Sequence, residues 1–187
     1  MKILVINPGG TSTKIAVFDN QTELFKTGIT HTAADLAPYK RVFDEFDYRK
    51  QLILSTLAEN SFNISEFDCV VGRGGLMKAI EGGTYPVNEA MITDLRNAIN
   101  GEHASNLGSV IAKSIADELG LPSFVGDPVS VDEFMPASRI TGHRTLKRPA
   151  GFTPSTTRRF AAKRPRKWAV HMTTTTSLWP TWAQGSP

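Results

Sequence analysis

The amino-acid sequence predicts an α/β domain in which helices flank a mixed sheet. Short apolar runs typical of buried strands are one observation behind this prediction. The other is a set of amphipathic segments with helical spacing, which alternate with strands later in the chain. Taken in chain order the elements are βββαβααβ, a three-stranded meander followed by alternation, and this order indicates a mixed sheet with flanking helices.

The first two strands are predicted to form a hairpin around a loop rich in glycine and hydroxyl groups. Residues 3–6 are a continuous apolar run, and residues 15–18 are a second strand a few positions later. In the loop between them, residues 7–14, glycines let backbone N–H groups approach an anion, and hydroxyls and a lysine add donors. These groups suit a phosphate. The Walker A spacing is absent, however, and composition alone favours an ordinary glycine-rich turn equally.

The remaining elements are indicated by caps and apolar spacing. TELFKTGITH is a third strand, and DLAPYKRVFDEFDYRKQLILSTLAEN is helical with Asp44 as the predicted cap. FDCVVGRGG is a strand ending in glycines, and LPSFVGD is a buried strand ending on Asp127. Two helices lie between them: VNEAMITDLRNAI with Asn88 as N-cap, and HASNLGSVIAKSIADELG with Ser105 as cap and Gly120 as stop.

Composition narrows the class of protein. The chain has 187 residues and is 40% hydrophobic, which suffices for one domain with a core. Its single cysteine, Cys69, excludes a disulfide framework and is interpreted as a small buried hydrophobe. No apolar run reaches membrane-spanning length, and the N-terminus lacks the regions of a signal peptide. We therefore expect a cytoplasmic protein.

Charge divides the chain into two parts. Residues 1–143 hold 12 Lys and Arg and all 18 Asp and Glu, whereas residues 144–187 hold 9 Lys and Arg and no acid. All three tryptophans also lie in the second part. We therefore predict a folded domain over residues 1–143 and a basic tail over 144–187 that is disordered or loosely collapsed.

Four segments together resemble the butyrate kinases of the acetate kinase family: VINPGGTSTKIAVF, VVGRGGLMKAIEGGTYPVNEAM, GEHASNLGSVIA and GDPVSVDEF. They occur in the family's order, and the match runs from the N-terminus to about Gly142. The resemblance implies membership of the sugar kinase, Hsp70 and actin superfamily. The implied fold is a ribonuclease H-like mixed sheet, the first lobe of an actin-like ATPase, which agrees with the predicted elements.

The resemblance also implies a reaction and its partners. ATP and a short-chain carboxylate would give an acyl phosphate and ADP, with Mg²⁺ as the metal ion. Butyrate is the acceptor by resemblance alone, and the family commonly forms homo-oligomers. Such chemistry needs groups that hold the carboxylate, stabilise the moving phosphoryl group and place the metal.

The resemblance assigns these tasks to five residues. Asn7 would contact the transferred phosphoryl group, and Arg73 would hold the substrate carboxylate in a two-pronged pair. His103 would lie near the acyl and phosphoryl groups, with Asn106 as a second polar contact. Asp127 would bind Mg²⁺.

The remaining predicted contacts belong to the family's first phosphate loop: Gly9, Gly10, Thr11, Ser12, Thr13 and Lys14. The family usually has serine where this chain has Gly10, and the change removes one donor. Without the resemblance, the local sequence favours other roles. Arg73 would be a surface cation, His103 a solvated residue or helix cap, and Asp127 part of an Asp-Pro turn.

Beyond Gly142 the family would continue with a helix that contains FHALN, and then with a strand and loop that begin FIVAH. This chain has an unrelated sequence there. GFTPSTTRRF can be written in codons that, read two bases later, give FHALNHKAV. With codons chosen in the same way, HMTTTTSLWPTWAQGS gives YDDYNFIVAHMGAGIS in the same shifted frame. We therefore infer a frameshift between about Gly142 and Gly151, and a truncation that removes the second lobe. On this interpretation His171 is not a site residue.

Three functions remain open. The chain is a butyrate kinase by resemblance, or a catalytically inactive fragment of one, because the missing lobe supplies most of the nucleotide pocket. The third is a protein whose basic stretch RRFAAKRPRK binds nucleic acid. It is the least favoured, since frameshifted GC-rich DNA yields arginine-rich peptides without selection. No membrane partner is expected.

Overall fold

A computed structural model describes residues 1–146 of the chain. The strands within these residues are β1 (Lys2–Pro8), β2 (Ser12–Asp19), β3 (Thr22–Thr30), β4 (Cys69–Arg73), β5 (Thr84–Pro86) and β6 (Ser123–Gly126). The α-helices are α1 (Ala33–Leu36), α2 (Phe46–Glu59), α3 (Glu89–Arg96) and α4 (Asn106–Leu119). Short 3-10 helices cover Val42–Glu45, Ile64–Glu66 and Pro136–Arg139. The predictions for the tail from residue 147 onward lie outside the described residues.

The strands form one mixed sheet in the order β3-β2-β1-β4-β6-β5. The first three are the antiparallel meander predicted from the sequence. β1 then pairs in parallel with β4, and β4 in parallel with β6. The sequence analysis missed β5, which pairs antiparallel with β6 at the sheet edge. β5 has only three residues, too few to show an alternation of apolar and polar side chains. Its terminal proline lacks an N–H group, so the strand can lie only at the edge of the sheet.

One side of the sheet is covered mainly by α4 and α2. Leu107, Ile111 and Ile115 of α4 recur every four residues, and all three are buried against the sheet. Ile53 and Leu57 of α2 join the same core, as the helical spacing predicted. The opposite side of the sheet has a smaller apolar cluster: Ile3, Val5, Ala16, Phe18 and Cys69. The prediction that the cysteine is a buried hydrophobe is confirmed, and burial raises the pKa of its thiol.

The predicted helix ends are partly confirmed. The Asn88 side chain accepts a hydrogen bond from the Met91 N–H at 3.0 Å, and Gly120 ends α4 with a left-handed φ of 66°. The prediction that Asp44 caps the long helix is wrong. A 3-10 turn runs directly into α2, so the Asp44 carboxylate accepts from the Arg41 N–H at the start of that turn instead. Ser105 precedes α4 but makes no side-chain cap hydrogen bond.

Helix α4 lies on β4 with backbone against backbone. A Cβ atom on Gly72 would lie 2.4 Å from the Gly108 carbonyl oxygen, and one on Gly108 would lie 2.4 Å from the Arg73 carbonyl oxygen. Only hydrogen fits at either position. This close approach sets the N-terminal end of α4 beside the end of β4. No helix within residues 1–146 combines the length and apolar character needed to cross a membrane.

Gly108→Ala should lower the free energy of unfolding by about 2 kcal/mol, because a methyl group overpacks this contact. Gly28→Ala is the matched control, since a Cβ there would meet no atom within 4 Å, and we expect a change of at most about 0.5 kcal/mol. Urea denaturation followed by circular dichroism measures both values. Equal midpoints for the two variants would show that α4 and β4 are not in backbone contact.

Candidate active site at the carboxyl ends of the parallel strands

Three of the four predicted catalytic residues meet at one edge of the sheet. Asn7 lies near the end of β1, Arg73 ends β4, and Asp127 directly follows β6. The parallel registers place Ile6 opposite Gly72 and Arg73 opposite Gly126, so the carboxyl ends of the three strands are neighbours. Open α/β sheets bind ligands beyond such ends. The predicted catalytic residues therefore lie where the fold favours a site.

Arg73 is half-buried rather than a solvated surface cation. Burial lowers the pKa of its guanidinium, and the nearby Asp127 carboxylate opposes that shift. A partly desolvated guanidinium gains most from an anionic partner with two oxygens. The position is therefore suited to a carboxylate ligand.

Asp127 connects the end of β6 to the segment before β5. Its N–H donates to the Gly83 carbonyl at 3.0 Å, and its Oδ1 accepts from the Gly83 N–H at 3.0 Å. Its φ of 38° is left-handed, a conformation that costs energy for a residue with a Cβ and is concentrated at functional sites. Asp127, the predicted ligand of Mg²⁺, thus also holds the segment around Gly83 against the end of β6.

The fit of a metal ion at Asp127 depends on its other ligands. Within residues 1–146 no group of three or more His, Cys, Asp or Glu side chains is arranged to hold a metal. Mg²⁺ commonly takes only one or two carboxylates and completes its octahedron with water and substrate phosphates. Asp127 fits that mode of binding, in which the metal arrives with a nucleotide.

His103 and Asn106 lie at the start of α4, close to the segment that follows Arg73. The Nδ1 atom of His103 accepts the Ser105 N–H at 3.1 Å. A neutral ring with an acceptor at Nδ1 carries its hydrogen on Nε2, where it can donate to an anion. The ring is exposed.

Asn106 is buried, and both ends of its amide are hydrogen-bonded to backbone. Its Oδ1 accepts from the Leu76 N–H at 2.9 Å, and its Nδ2 donates to the Gly101 carbonyl at 3.0 Å. These bonds fix the segment after Arg73 against α4. Direct contact between Asn106 and a substrate stays a prediction.

The predicted phosphate loop is the tip of the β1–β2 hairpin, and its register places Asn7 opposite Lys14. Gly10 and Thr11 are exposed, and the Gly9 N–H donates to the Ser12 carbonyl at 2.6 Å. A Cβ on Gly10 would meet no atom within 4 Å, so the serine usual in the family would fit there. The loop is closed by its own backbone and presents its tip outward.

Thr13 differs from the other loop residues because it is fully buried. Its hydroxyl accepts from Nη1 of Arg49 at 3.0 Å and lies 2.8 Å from Nε2 of His31. Direct binding of phosphate by Thr13 stays a prediction. In this structure its hydroxyl joins a buried network below the loop.

Arg49 and His31 complete this network, and neither was predicted from the sequence as part of the site. Arg49 is 1% exposed and pairs with Glu45, four residues earlier, at 2.7 Å. One signal was available: Arg49 precedes Ile53 and Leu57 by four and eight residues, so it occupies the helix face that enters the core. His31 comes directly after β3 and carried no comparable signal.

His31 makes stability depend on pH. Burial lowers the pKa of this imidazole, the Arg49 guanidinium lowers it further, and the Asp35 carboxylate opposes both. Tyr48 packs edge-on against the ring with centroids 5.6 Å apart. Below the ordinary pKa of about 6.5 the unfolded chain binds a proton that the folded chain resists.

We therefore expect the free energy of unfolding to fall as pH drops from about 6.5 toward the lower pKa of folded His31. His31→Gln should flatten this pH dependence, although it also weakens the fold. Exposed His143 provides the control variant His143→Gln. Urea denaturation at several pH values measures the slopes, and an unchanged slope in His31→Gln would contradict the assignment.

Curated relatives support the resemblance found in the motifs. Two proteins named probable butyrate kinase, from Clostridium botulinum strains Eklund 17B / Type B and Alaska E43 / Type E3, are each 50% identical to this chain over 151 residues. The alignment covers 81% of this chain and 42% of each relative, so the chain spans less than half the length of these relatives. The predicted resemblance to butyrate kinases is confirmed over that part. No family model matches the chain.

Solved structures support the fold. Acetate kinase from Porphyromonas gingivalis superposes with a TM-score of 0.56 at 14% identity, covering 94% of this chain and 50% of that one. Acetate kinase from Entamoeba histolytica superposes with a TM-score of 0.50 at 14% identity, covering 78% and 41%. The predicted fold class, a mixed α/β sheet with a three-stranded meander and flanking helices, is confirmed.

Proposed function

We propose that the chain carries the acceptor and phosphoryl half of a carboxylate kinase site, acting in the reaction of butanoate and ATP to butanoyl phosphate and ADP. The observation that carries the proposal is the meeting of Asn7, Arg73 and Asp127 at one sheet edge, beside a glycine-rich loop. Relatives that are 50% identical and named probable butyrate kinase supply the acceptor. We further propose that the protein is cytoplasmic and that it assembles as a homo-oligomer.

The transfer requires residues that position the substrates and neutralise charge. It does not require a general base. A carboxylate is already ionised at neutral pH, so its oxygen can bond to the γ-phosphorus without losing a proton. The bond from that phosphorus to the bridging oxygen breaks, and ADP leaves with the electron pair. Negative charge spreads over the three remaining γ-oxygens, which is where hydrogen-bond donors are effective.

Each proposed residue has one task in this reaction. Arg73 holds the butanoate carboxylate through its planar fork and turns one oxygen toward the phosphorus. Asn7 and Lys14, opposite each other on β1 and β2, donate to the phosphoryl oxygens. His103 donates from Nε2 on the α4 side. Asp127 would hold Mg²⁺, which neutralises phosphate charge when bound.

A second candidate is a chain that binds butanoate without completing the transfer. The coverage of 42% of the relatives' length favours it, because the matched part is less than half of those kinases. We also keep the proposed division into a lobe over residues 1–143 and a separate tail over 144–187. Nucleic-acid binding by that tail concerns residues outside the described part of the chain.

Arg73→Ala should raise the dissociation constant for butanoate at least about 10-fold, because it removes a two-pronged charged hydrogen bond. Arg73→Lys keeps the charge without the fork and should fall between wild type and Arg73→Ala. Exposed Arg96 at the end of α3 gives the control Arg96→Ala, which should bind like wild type. Isothermal titration calorimetry measures all four proteins.

A hydroxamate assay with butanoate, ATP and Mg²⁺ separates the two candidates. Turnover by the wild-type chain supports the kinase, and butanoate binding without turnover supports the second candidate. Equal butanoate affinity in wild type and Arg73→Ala would remove Arg73 from the site, and a wild-type chain that neither binds nor turns over butanoate would overturn both candidates.

A further inference from the structure

Arg49 makes four hydrogen bonds and an ion pair beneath the hairpin tip. Nε donates to Glu45 Oε2 at 2.7 Å, and Nη2 lies 2.7 Å from the same oxygen. Nη1 donates to the Gly9 carbonyl at 2.9 Å and to the Thr13 hydroxyl at 3.0 Å. Nη2 also donates to the Gly10 carbonyl at 3.2 Å. Three of the four hydrogen bonds go to the loop, and the fourth goes to the paired acid, Glu45.

The two carbonyl contacts fix the direction of two peptide planes. In a trans peptide the C=O and N–H of one unit point in opposite directions, and residues 1–146 contain no cis peptide bond. The Gly9 carbonyl points inward to Arg49, so the N–H of Gly10 points away from it. In the same way the inward Gly10 carbonyl turns the Thr11 N–H away. Two successive N–H groups on one side of a loop form an anion-binding concavity.

We propose that Arg49 is a positioning residue that holds the Gly9–Gly10 and Gly10–Thr11 peptides with their N–H groups toward the terminal phosphate of the nucleotide. The proposal rests on the proposed function for the identity of the anion. Glu45 neutralises the guanidinium, and Arg49 lies below the loop rather than at its surface. Its effect on the anion is therefore exerted through loop geometry.

Both sides of the loop are tied to the same network. The Thr11 carbonyl accepts from the His31 N–H at 2.9 Å, and the His31 ring reaches the Thr13 hydroxyl. The loop thus has its carbonyls engaged at Gly9, Gly10 and Thr11. A lysine could reach one of the two Arg49-bound carbonyls but could not bridge both in one plane.

The neighbouring residue Lys50 provides a matched control. It is also buried in α2, it pairs with Glu118 of α4, and its Nζ donates to Ser114 at 2.9 Å, away from the loop. The test compares two double variants. The Arg49 variant carries Arg49→Met together with Glu45→Gln, and the Lys50 variant carries Lys50→Met together with Glu118→Gln. Each pair of substitutions removes one charge pair without leaving a buried charge alone.

Two measurements on the full chain by ¹⁵N NMR test the proposal. The heteronuclear NOE reports the order of the Gly10 and Thr11 amides, and titration with inorganic pyrophosphate or ATP reports their response to a phosphate. In the Arg49 variant we expect the NOE to fall and the dissociation constant to rise at least about 10-fold. The Lys50 variant should match wild type in both. An unchanged NOE in the Arg49 variant would overturn the proposal.

The proposal and the proposed function can fail separately. If wild type shows no response to pyrophosphate or ATP, but the NOE still falls only in the Arg49 variant, the positioning role is supported and the phosphate role is overturned. If the Arg49 variant does not fold, Arg49→Lys replaces it. Wild-type order and affinity in Arg49→Lys would overturn the proposal, and loss of order at Gly10 or Thr11 would support it.

Discussion

Parallel pairing of β1, β4 and β6 is the constraint on which the rest of the structure depends. It brings three chain segments that are far apart in sequence to one edge, with Asn7, Arg73 and Asp127 beside one another. The connection from β4 to β6 crosses the sheet through α3 and α4, and α4 lies directly on the β4 backbone at Gly72 and Gly108. The ends of β4 and β6 are therefore held beside a helix that only glycine allows to approach so closely.

Each side of the candidate site is supported by polar groups that do not belong to it. Below the hairpin tip, Arg49 binds the carbonyls of the loop and is paired with Glu45. Near the ends of β4 and β6, Asn106 ties the segment after Arg73 to α4, and Asp127 ties Gly83 to the end of β6. Partly buried hydrogen bonds of this kind fix the position of functional groups, because a polar group that loses its partner there raises the free energy of the fold.

The sequence was sufficient where local pattern determines structure. The hairpin, the buried cysteine, the Asn88 cap and the Gly120 stop depend on residues close in the chain, and all were predicted. Arg49 and His31 were not predicted. The spacing to Ile53 and Leu57 places Arg49 on the core face of α2, but local pattern does not reveal the contacts that either residue makes with the distant loop. The Asp44 cap failed because a 3-10 turn extended the helix start by four residues. Most of the candidate site came from resemblance, since strand pattern alone left Arg73 as a surface cation.

The central claim is that the hairpin tip and the strand ends form one site for an acyl phosphate. A crystal structure of the chain with a phosphonate analogue of butanoyl phosphate tests it most directly. The account predicts the acyl oxygen of the analogue at the Arg73 guanidinium and its phosphonate oxygens at the N–H groups of Gly10 and Thr11. Analogue bound elsewhere at saturating concentration, with the hairpin tip open to solvent, would contradict the account.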